Sequence, residues 1–269
     1  MPVLRPFTIT ASVLVAHVSW GSCLHSTPRS AEVEAAGAKK VVVSAGAGDL
    51  IITGDAATSL VHATGDACGE NAQTLEGVQI EVRRNGDTVY VTAVMPQHSP
   101  FQQASLDLKV AMPAGAAVEV EDSSGDIVVK NVAGAKVDDS SGDQTIRDIA
   151  GDVAVQDSSG DIVIEGVRGN VEVRDSSGEI KVVNIGGNVT IPVDSSGGMT
   201  IARVRGNVHV LNDSAGDIVL EDINQNANID RDGAGDIRAA NIGGDFTVAD
   251  DGTGDISHRN VLGRVSTPD

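Results

Sequence analysis

The chain has 269 residues, with 38 acidic side chains against 19 basic ones and a formal net charge of −19. An excess of negative charge of this size excludes nucleic-acid binding through a basic surface. Aromatic residues make up only 2% of the chain, so few side chains are present that could stack on sugar rings.

Residues 1–21 have the composition of a secretory signal peptide. Arg5 is followed by the apolar run from Phe7 to Trp20, and the small residues Ser19 and Gly21 stand at cleavage spacing. The run is too short and too weakly flanked for a membrane span. We therefore expect an exported protein, located in the periplasm, at the cell surface or in the medium, with no transmembrane span.

Two cysteines follow the predicted signal, Cys23 and Cys68. In an oxidising compartment we expect them to form one disulfide that ties the N-terminal arm to the residues after it. The alternative is a lipidated Cys23, because Gly21-Ser22-Cys23 partly resembles a lipoprotein cleavage box. Trp20 argues against lipidation, since such a box has a small aliphatic residue at that position.

Residues 22–120 have a β pattern that is less regular than the pattern after them. The stretch from Gly48 to Ile52, Gly-Asp-Leu-Ile-Ile, predicts a degenerate first coil of a repeat fold. Asn85-Gly86-Asp87 between two apolar runs predicts a hairpin. Met95 to Gln103 reads as a loop, and the alternation from Leu106 to Met112 predicts a strand. We expect an irregular β cap that continues into the repeats without a linker.

A phrase of the form Asp-Ser-Ser-Gly-Asp-Ile recurs from residue 121 to residue 269, with 17 to 19 residues between copies. Each copy continues into two short runs of period-two alternation, in which Ile162, Ile164, Val171 and Val173 point to one side. One such unit cannot bury its own apolar face, whereas stacked units share a common interior. The repeats predict an all-β fold, a single-stranded parallel β-solenoid (β-helix) of about 18–19 residues per coil, continuous with residues 22–120.

The chain resembles the bacterial putative-adhesin family of β-solenoid proteins. The resemblance rests on Cys23, Gly48 to Ile52, Met112-Pro113-Ala114-Gly115 and the Ser-Ser-Gly-Asp repeats, and it covers nearly all of the chain after residue 21. It implies a β-solenoid that is associated with the envelope or secreted, and it brings no catalytic residues with it.

Two lines of acidic residues are expected along one edge of the solenoid. The first aspartate line contains the leading residue of each repeat: Asp122, Asp139, Asp157, Asp175, Asp194, Asp213, Asp232 and Asp251. The second acidic line stands four residues later, at Asp126, Asp143, Asp161, Glu179, Asp217, Asp236 and Asp255, with Gly198 interrupting it. Stacking brings like charges to about 5 Å, which is unfavourable unless something offsets it.

Two interpretations explain how the repulsion between the stacked carboxylates could be offset. In the first, each leading aspartate accepts hydrogen bonds from the backbone N–H groups of its own Ser-Ser-Gly turn. In the second, calcium binds between adjacent turns, since hard cations prefer clustered carboxylate and carbonyl oxygens. The calcium candidates are Asp122, Asp126, Asp157, Asp161, Asp175, Asp194, Asp213 and Asp217.

At the second turn of the repeat, an amide ladder is predicted from Asn170, Asn188, Asn207 and Asn226. Asp152 and Asp245 stand on the same line and are expected to leave the ladder incomplete. No metal, catalytic or cofactor-binding residue is predicted firmly, because the sequence has no nucleophile–histidine arrangement, phosphate loop or histidine ligand spacing.

The function that the sequence favours is that of a non-catalytic protein offering a long acidic face to an unidentified envelope or extracellular partner. One alternative is a structural solenoid that associates end to end through the C-terminal edge near Val261 to Val265. Another is a calcium-stabilised binding module. A carbohydrate-active β-helix enzyme with paired carboxylates is disfavoured, because the coils are too short to carry the loops that build a cleft.

Overall fold

The computed structural model describes residues 23–96 and 104–268. The predicted signal peptide, and all but two residues of the predicted loop from Met95 to Gln103, lie outside the described residues.

The described elements are almost all strands, and one short helix interrupts them. Numbered along the chain, they are β1 (His25–Glu34), β2 (Lys40–Ser44), β3 (Leu50–Asp55), β4 (Leu60–Gly69), α1 (Ala72–Glu76), β5 (Gln79–Asn85), β6 (Thr88–Val94), β7 (Ala104–Pro113), β8 (Ala117–Glu121), β9 (Ile127–Lys130), β10 (Ala135–Asp138), β11 (Gln144–Ile149), β12 (Val153–Gln156), β13 (Ile162–Val167), β14 (Val171–Arg174), β15 (Ile180–Ile185), β16 (Val189–Val193), β17 (Met199–Val204), β18 (Val208–Val210), β19 (Ile218–Ile223), β20 (Ala227–Ile229), β21 (Asp232–Ala234), β22 (Ile237–Ile242), β23 (Phe246–Val248), β24 (Asp251–Thr253), β25 (Ile256–Val261) and β26 (Val265–Ser266).

Each repeat contributes one strand to each of two twelve-stranded sheets, which confirms the parallel β-solenoid. Sheet A has the order β1-β4-β7-β3-β9-β11-β13-β15-β17-β19-β22-β25, and sheet B the order β26-β23-β20-β18-β16-β14-β12-β10-β8-β2-β6-β5. The strands from β8 onward are all parallel to their neighbours, and Ile162 stands in register with Gln144 on one side and Ile180 on the other. Equivalent residues of successive repeats therefore stack in columns, as the predicted common interior requires.

The core is a single aliphatic cluster to which both sheets contribute. Ile162, Ile164 and Val173 are fully buried and Val171 is 1% exposed, as the period-two alternation requires. Val167 marks the bend between the two strands of its coil and is also buried. Gln144 occupies the same column as Ile162 and is fully buried, and no described residue forms a hydrogen bond with its side-chain oxygen or nitrogen.

The N-terminal cap departs from the simple order of coils. The β2–β3 coil was expected to come first in the stack, but β3 lies between β7 and β9, and β2 lies between β6 and β8. The chain leaves this coil through β4, α1 and β5, and returns on its outer side through β6 and β7. β4 pairs antiparallel with both β1 and β7, and β5 and β6 form the predicted antiparallel hairpin.

Candidate functional site

The repeated Asp-Ser-Ser-Gly-Asp turn forms one long edge of the solenoid, where each strand of sheet B passes into the next strand of sheet A. A glycine is required at the fourth position of the turn because of close stacking. Gly178, for example, has a φ of 138°, and a Cβ atom built on it would overlap the carbonyl oxygen of Gly160 in the preceding coil. This edge therefore stacks backbone directly on backbone.

The hydroxyl of the second serine in the turn binds to the protein itself. The Ser159 Oγ donates to the Ser140 carbonyl oxygen at 3.2 Å, and the Ser177 Oγ donates to the Ser158 carbonyl oxygen at 3.0 Å. These hydroxyls connect neighbouring coils, which is a structural role rather than that of activated nucleophiles.

The first aspartate line lies inside the edge. Asp194 is 0% exposed, Asp122 is 8% exposed, and of the eight members only Asp251 is more than marginally accessible. Carboxylates are almost never buried this completely unless they are paired with an opposite charge. The sequence pattern did not indicate this burial, because aspartates before Ser-Gly in turns usually face solvent.

Hydrogen bonding satisfies only part of this line. In Asp139, Asp157 and Asp175, Oδ1 accepts from the next two backbone N–H groups, at 2.7 Å and at 3.2 to 3.4 Å. The other oxygen of each has no donor within residues 23–96 and 104–268. Four further members have no donor at either oxygen among the residues that the structure describes: Asp122, Asp194, Asp213 and Asp232. The predicted turn bonds are therefore formed at Asp139, Asp157 and Asp175, whereas at Asp122, Asp194, Asp213 and Asp232 the turn N–H groups lower the carboxyl pKa without reaching hydrogen-bond geometry.

Burial raises the pKa of every carboxyl group from Asp122 to Asp232 on this line. The pKa rises to about 7 at Asp122 and Asp232. It rises to about 6 at Asp157, Asp194 and Asp213. Desolvation is the main cause, and the neighbouring carboxylates of the line add to it at all five, while backbone N–H groups of the turn oppose it.

The carboxyl groups of Asp213 and Asp232 interact directly with each other. When both groups are ionised, neither carboxylate carries a proton that it could donate to the other, so no hydrogen bond can form between them. Protonation of one member gives the pair a hydrogen bond. Proton uptake would therefore account for both the raised pKa values and the unpartnered oxygens.

The second acidic line lies on the outside of the same edge. Most of its carboxylates accept a hydrogen bond from the backbone N–H of the equivalent residue one coil on. The distances are 3.1 Å from Asp143 to Asp126, 3.0 Å from Asp161 to Asp143, and 2.9 Å from Glu179 to Asp161. The line continues past the repeats through Asp49 and Asp107 in the cap, which the sequence did not assign to it.

All members of this extended line are exposed except Asp236, which is half-buried. Arg238 pairs with Asp217 and Asp236, and its guanidinium lowers the pKa of Asp217. From Asp107 to Glu179 the line carries six carboxylates in adjacent coils, and none of the described residues forms a salt bridge with any of them. At about 4.8 Å per coil this segment is about 24 Å long.

The calcium candidates are divided between these two lines. Asp122, Asp157, Asp175, Asp194 and Asp213 are buried in the first aspartate line, while Asp126, Asp161 and Asp217 are exposed in the second acidic line. Within residues 23–96 and 104–268, no three acidic, histidine or cysteine side chains form a group that could hold a metal ion. Calcium binding stays a prediction.

The second turn of the repeat carries a ladder that is more complete than the sequence predicted. The Asn188 Oδ1 accepts from the backbone N–H of Asn207 at 2.8 Å. Asp152 accepts in the same way from Asn170 at 2.7 Å, and Asp245 accepts from Arg264 at 2.7 Å. The expectation that aspartate interrupts the ladder was wrong, because the bond needs only an acceptor oxygen and a carboxylate provides one.

Cys23 and Cys68 form a disulfide with a Cα–Cα distance of 5.6 Å. The bond fixes the start of β1 to the end of β4, where Ser26 and Cys68 stand in register. The predicted pairing is thus present in the structure.

Three arginines come together that are far apart in the sequence. Arg168, Arg203 and Arg205 line one groove at the second turn, although the sequence showed no basic cluster beyond Lys39-Lys40 and Arg83-Arg84. Arg168 and Arg205 occupy equivalent positions two coils apart, so aligning the repeats by column would have shown the cluster.

In the part of the chain that the structure describes, no helix has the length and apolar character needed to cross a membrane.

The sequence model of the family described as Toastrack DUF4097 matches residues 38–191. No curated protein matches the chain. Among solved structures, a putative lipid binding protein from Parabacteroides distasonis is similar, with 12% identity, a TM-score of 0.46, and 90% of this chain and 97% of that chain covered. A putative adhesin from Parabacteroides merdae has 11% identity, a TM-score of 0.40, and 91% and 96% coverage. A putative adhesin from Bacteroides fragilis has 13% identity, a TM-score of 0.39, and 90% and 97% coverage.

Proposed function

The chain belongs to the Toastrack DUF4097 family, and from its own surface we propose that it is an exported, non-catalytic, adhesin-like protein. Its second acidic line contacts a partner in the envelope or outside the cell. The observation that carries the proposal is the unbroken row of exposed carboxylates from Asp107 to Glu179. The partner that fits this row presents lysine or arginine side chains along an extended surface.

The geometry of the row supports binding rather than chemistry. Five of the six carboxylates, from Asp107 to Asp161, are oriented by a backbone N–H of the next coil, so most of the row is ordered before a partner arrives. Ordered groups lose less conformational entropy on binding. A row of like charges also steers a cationic partner towards it and makes association dependent on salt concentration.

The disulfide supports export. Disulfides form and persist in the periplasm, at cell surfaces and outside the cell, and they are rare in the cytosol. The bond between Cys23 and Cys68 closes only residues that follow the predicted signal peptide, so it can form in the chain that remains after signal cleavage.

Quantitative capture from an envelope extract, with the mature protein immobilised, tests the proposal. The test variant carries Asp126→Asn, Asp143→Asn and Asp161→Asn, because asparagine keeps the acceptor oxygen of the coil-to-coil bond and removes the charge. The control carries Glu32→Gln, Glu76→Gln and Glu81→Gln, three exposed positions in the cap. It has the same net charge as the test variant.

We expect a partner that wild type and control capture equally and that the test variant loses. Capture should also weaken as salt concentration rises. Equal capture by all three proteins, or equal loss from both variants, contradicts a role for the second acidic line.

A further inference from the structure

The solenoid also carries a basic groove on the edge opposite the acidic one. The groove has a volume of about 690 Å³ and lies at the second turn of three consecutive coils and the start of the next. Its lining contains Arg168, Arg203 and Arg205 with a single carboxylate, Asp222. Its local charge is therefore positive in a chain whose formal net charge is −19.

The three guanidinium groups are available to a ligand. All three arginines are exposed, and none of them forms a salt bridge with any residue that the structure describes. The Arg203 Nε donates to the Asn184 Oδ1 at 2.6 Å, which fixes the side chain within the groove and leaves its two terminal nitrogens without an acceptor among the described residues. A guanidinium held in this way binds oxyanions through paired, charge-assisted hydrogen bonds.

The backbone at Arg203 gives a second, independent indication. Arg203 has a φ of 54°, in the left-handed region that asparagine, aspartate and glycine tolerate best. The equivalent residue in every other coil of the repeat is one of those three types: Asn131, Asp148, Gly166, Asn184, Asp222, Asn241 and Asn260. An arginine in this conformation costs of order 1 kcal/mol, and such strain concentrates at functional positions.

We propose that this groove binds a ligand carrying a phosphate monoester. Three arginines and one aspartate leave the groove with two unbalanced positive charges, which is close to the charge of about −1.5 to −2 that a phosphate monoester carries near neutral pH. Glycines at 166 and 186 keep part of the groove wall free of side chains, so the phosphate can approach closely. The groove is independent of the partner site on the acidic edge.

Isothermal titration calorimetry of the mature protein tests the proposal with two sources of the same chemistry. Glycerol 3-phosphate is the soluble probe, and vesicles of phosphatidylcholine containing phosphatidic acid present the group as a lipid headgroup. Arg203→Asn, Arg168→Asn and Arg205→Asn are the test variants. The equivalent position is held by Asn224, three coils on from Arg168 and one coil on from Arg205, so asparagine is compatible with the fold there. Arg147→Ala is the control, because Arg147 lies outside the groove and its equivalent in two other coils is alanine.

Each test variant is expected to weaken binding about tenfold or more, and the control to leave it unchanged. Arg203→Asn should at the same time raise the melting temperature, since it relieves the left-handed strain; a merely structural arginine would not give both changes. Binding to glycerol 3-phosphate alone identifies a soluble ligand, and binding to both probes identifies a headgroup. The proposal is overturned if neither probe binds, or if the control loses as much binding as the test variants. It is also overturned if the protein self-associates without binding phosphate and the test variants abolish that self-association.

Discussion

Gln144 is the residue whose environment conflicts most with its chemistry. Its amide is fully buried in a column between Ile127 and Ile162, and neither polar atom has a hydrogen-bond partner in the described part of the chain. An unsatisfied buried polar group costs about 1–3 kcal/mol. Gln144 is therefore a position in the column at which the residue present lowers the stability of the fold.

Gln144→Ile is expected to raise the free energy of unfolding by about 1 kcal/mol or more, because it replaces an orphaned amide with the residue found above and below it. Denaturant unfolding with matched m-values measures the change. Thr145→Ile, at the neighbouring half-buried and outward-facing position, is the control and should change stability by less than about 0.5 kcal/mol. A destabilised Gln144→Ile variant would mean that the amide has a partner.

The turn that stacks glycine on glycine is the element on which the acidic edge depends. Gly178→Ala adds a Cβ atom where the Gly160 carbonyl oxygen stands, at a φ that alanine disfavours. We expect a loss of about 3 kcal/mol or more, because strain and overlap add. Gly115→Ala is the control, since a Cβ there meets no atom within 4 Å and its φ is not positive. Circular dichroism melts of both variants measure the difference, and equal melting temperatures would contradict the stacked turn.

At the level of elements, the sequence was sufficient for the regular coils and insufficient for the cap. Period-two alternation placed Ile162, Ile164 and Val173 inside, because side-chain direction in a strand follows sequence position directly. The place of the β2–β3 coil between later strands depends on long-range pairing, which no local pattern encodes. The burial of the first aspartate line and the arginine groove likewise arise from stacking, so only a column-by-column alignment of the repeats could have revealed them.

At the C-terminal end of the whole solenoid, β25 is the edge strand of sheet A and β26 is the edge strand of sheet B. Within the described residues neither strand has a further neighbour. Leu262 between them is 83% exposed, and His258 in β25 is exposed although it continues an interior column. Open strand edges are templates for pairing. The sequence prediction of end-to-end association near Val261 to Val265 therefore remains open to test.

Sedimentation velocity over a range of protein concentrations tests this association. Pairing through the edge predicts a sedimentation coefficient that rises with concentration, and Val261→Lys should abolish the rise, since inward charge blocks edge pairing. Ala56→Lys, which adds the same charge at an exposed position in the cap, is the matched control. A coefficient typical of a monomer at every concentration removes the assembly hypothesis.

Calcium between the coils is the competing explanation for the buried carboxylates. If calcium held them together, a chelator would lower the melting temperature and added calcium would restore it. Proton uptake by the first aspartate line predicts no shift with chelator, because no ion is then needed to offset the charge. A thermal melt with and without chelator at about pH 8, where the line is most ionised, separates the two explanations most clearly.

Proton uptake also sets the direction of the pH dependence. The folded pKa values of about 6 to about 7 on the first aspartate line lie above the value of about 3.9 in unfolded chains. Between these values the folded state binds more protons than the unfolded state, so the free energy of unfolding falls as pH rises through the window. A difference of about 2 kcal/mol across the window shifts the melting temperature of a chain of this size by about 4–8 °C.

The melting temperature of the mature protein as a function of pH is the most direct test of this account. We predict a higher melting temperature at about pH 5 than at about pH 8, and a smaller difference in the Asp157→Asn/Asp194→Asn variant, which has two fewer groups to ionise in the edge. A melting temperature that is lower at about pH 5 than at about pH 8, or a variant with the full wild-type difference, would contradict a solenoid edge that encloses protonated aspartates.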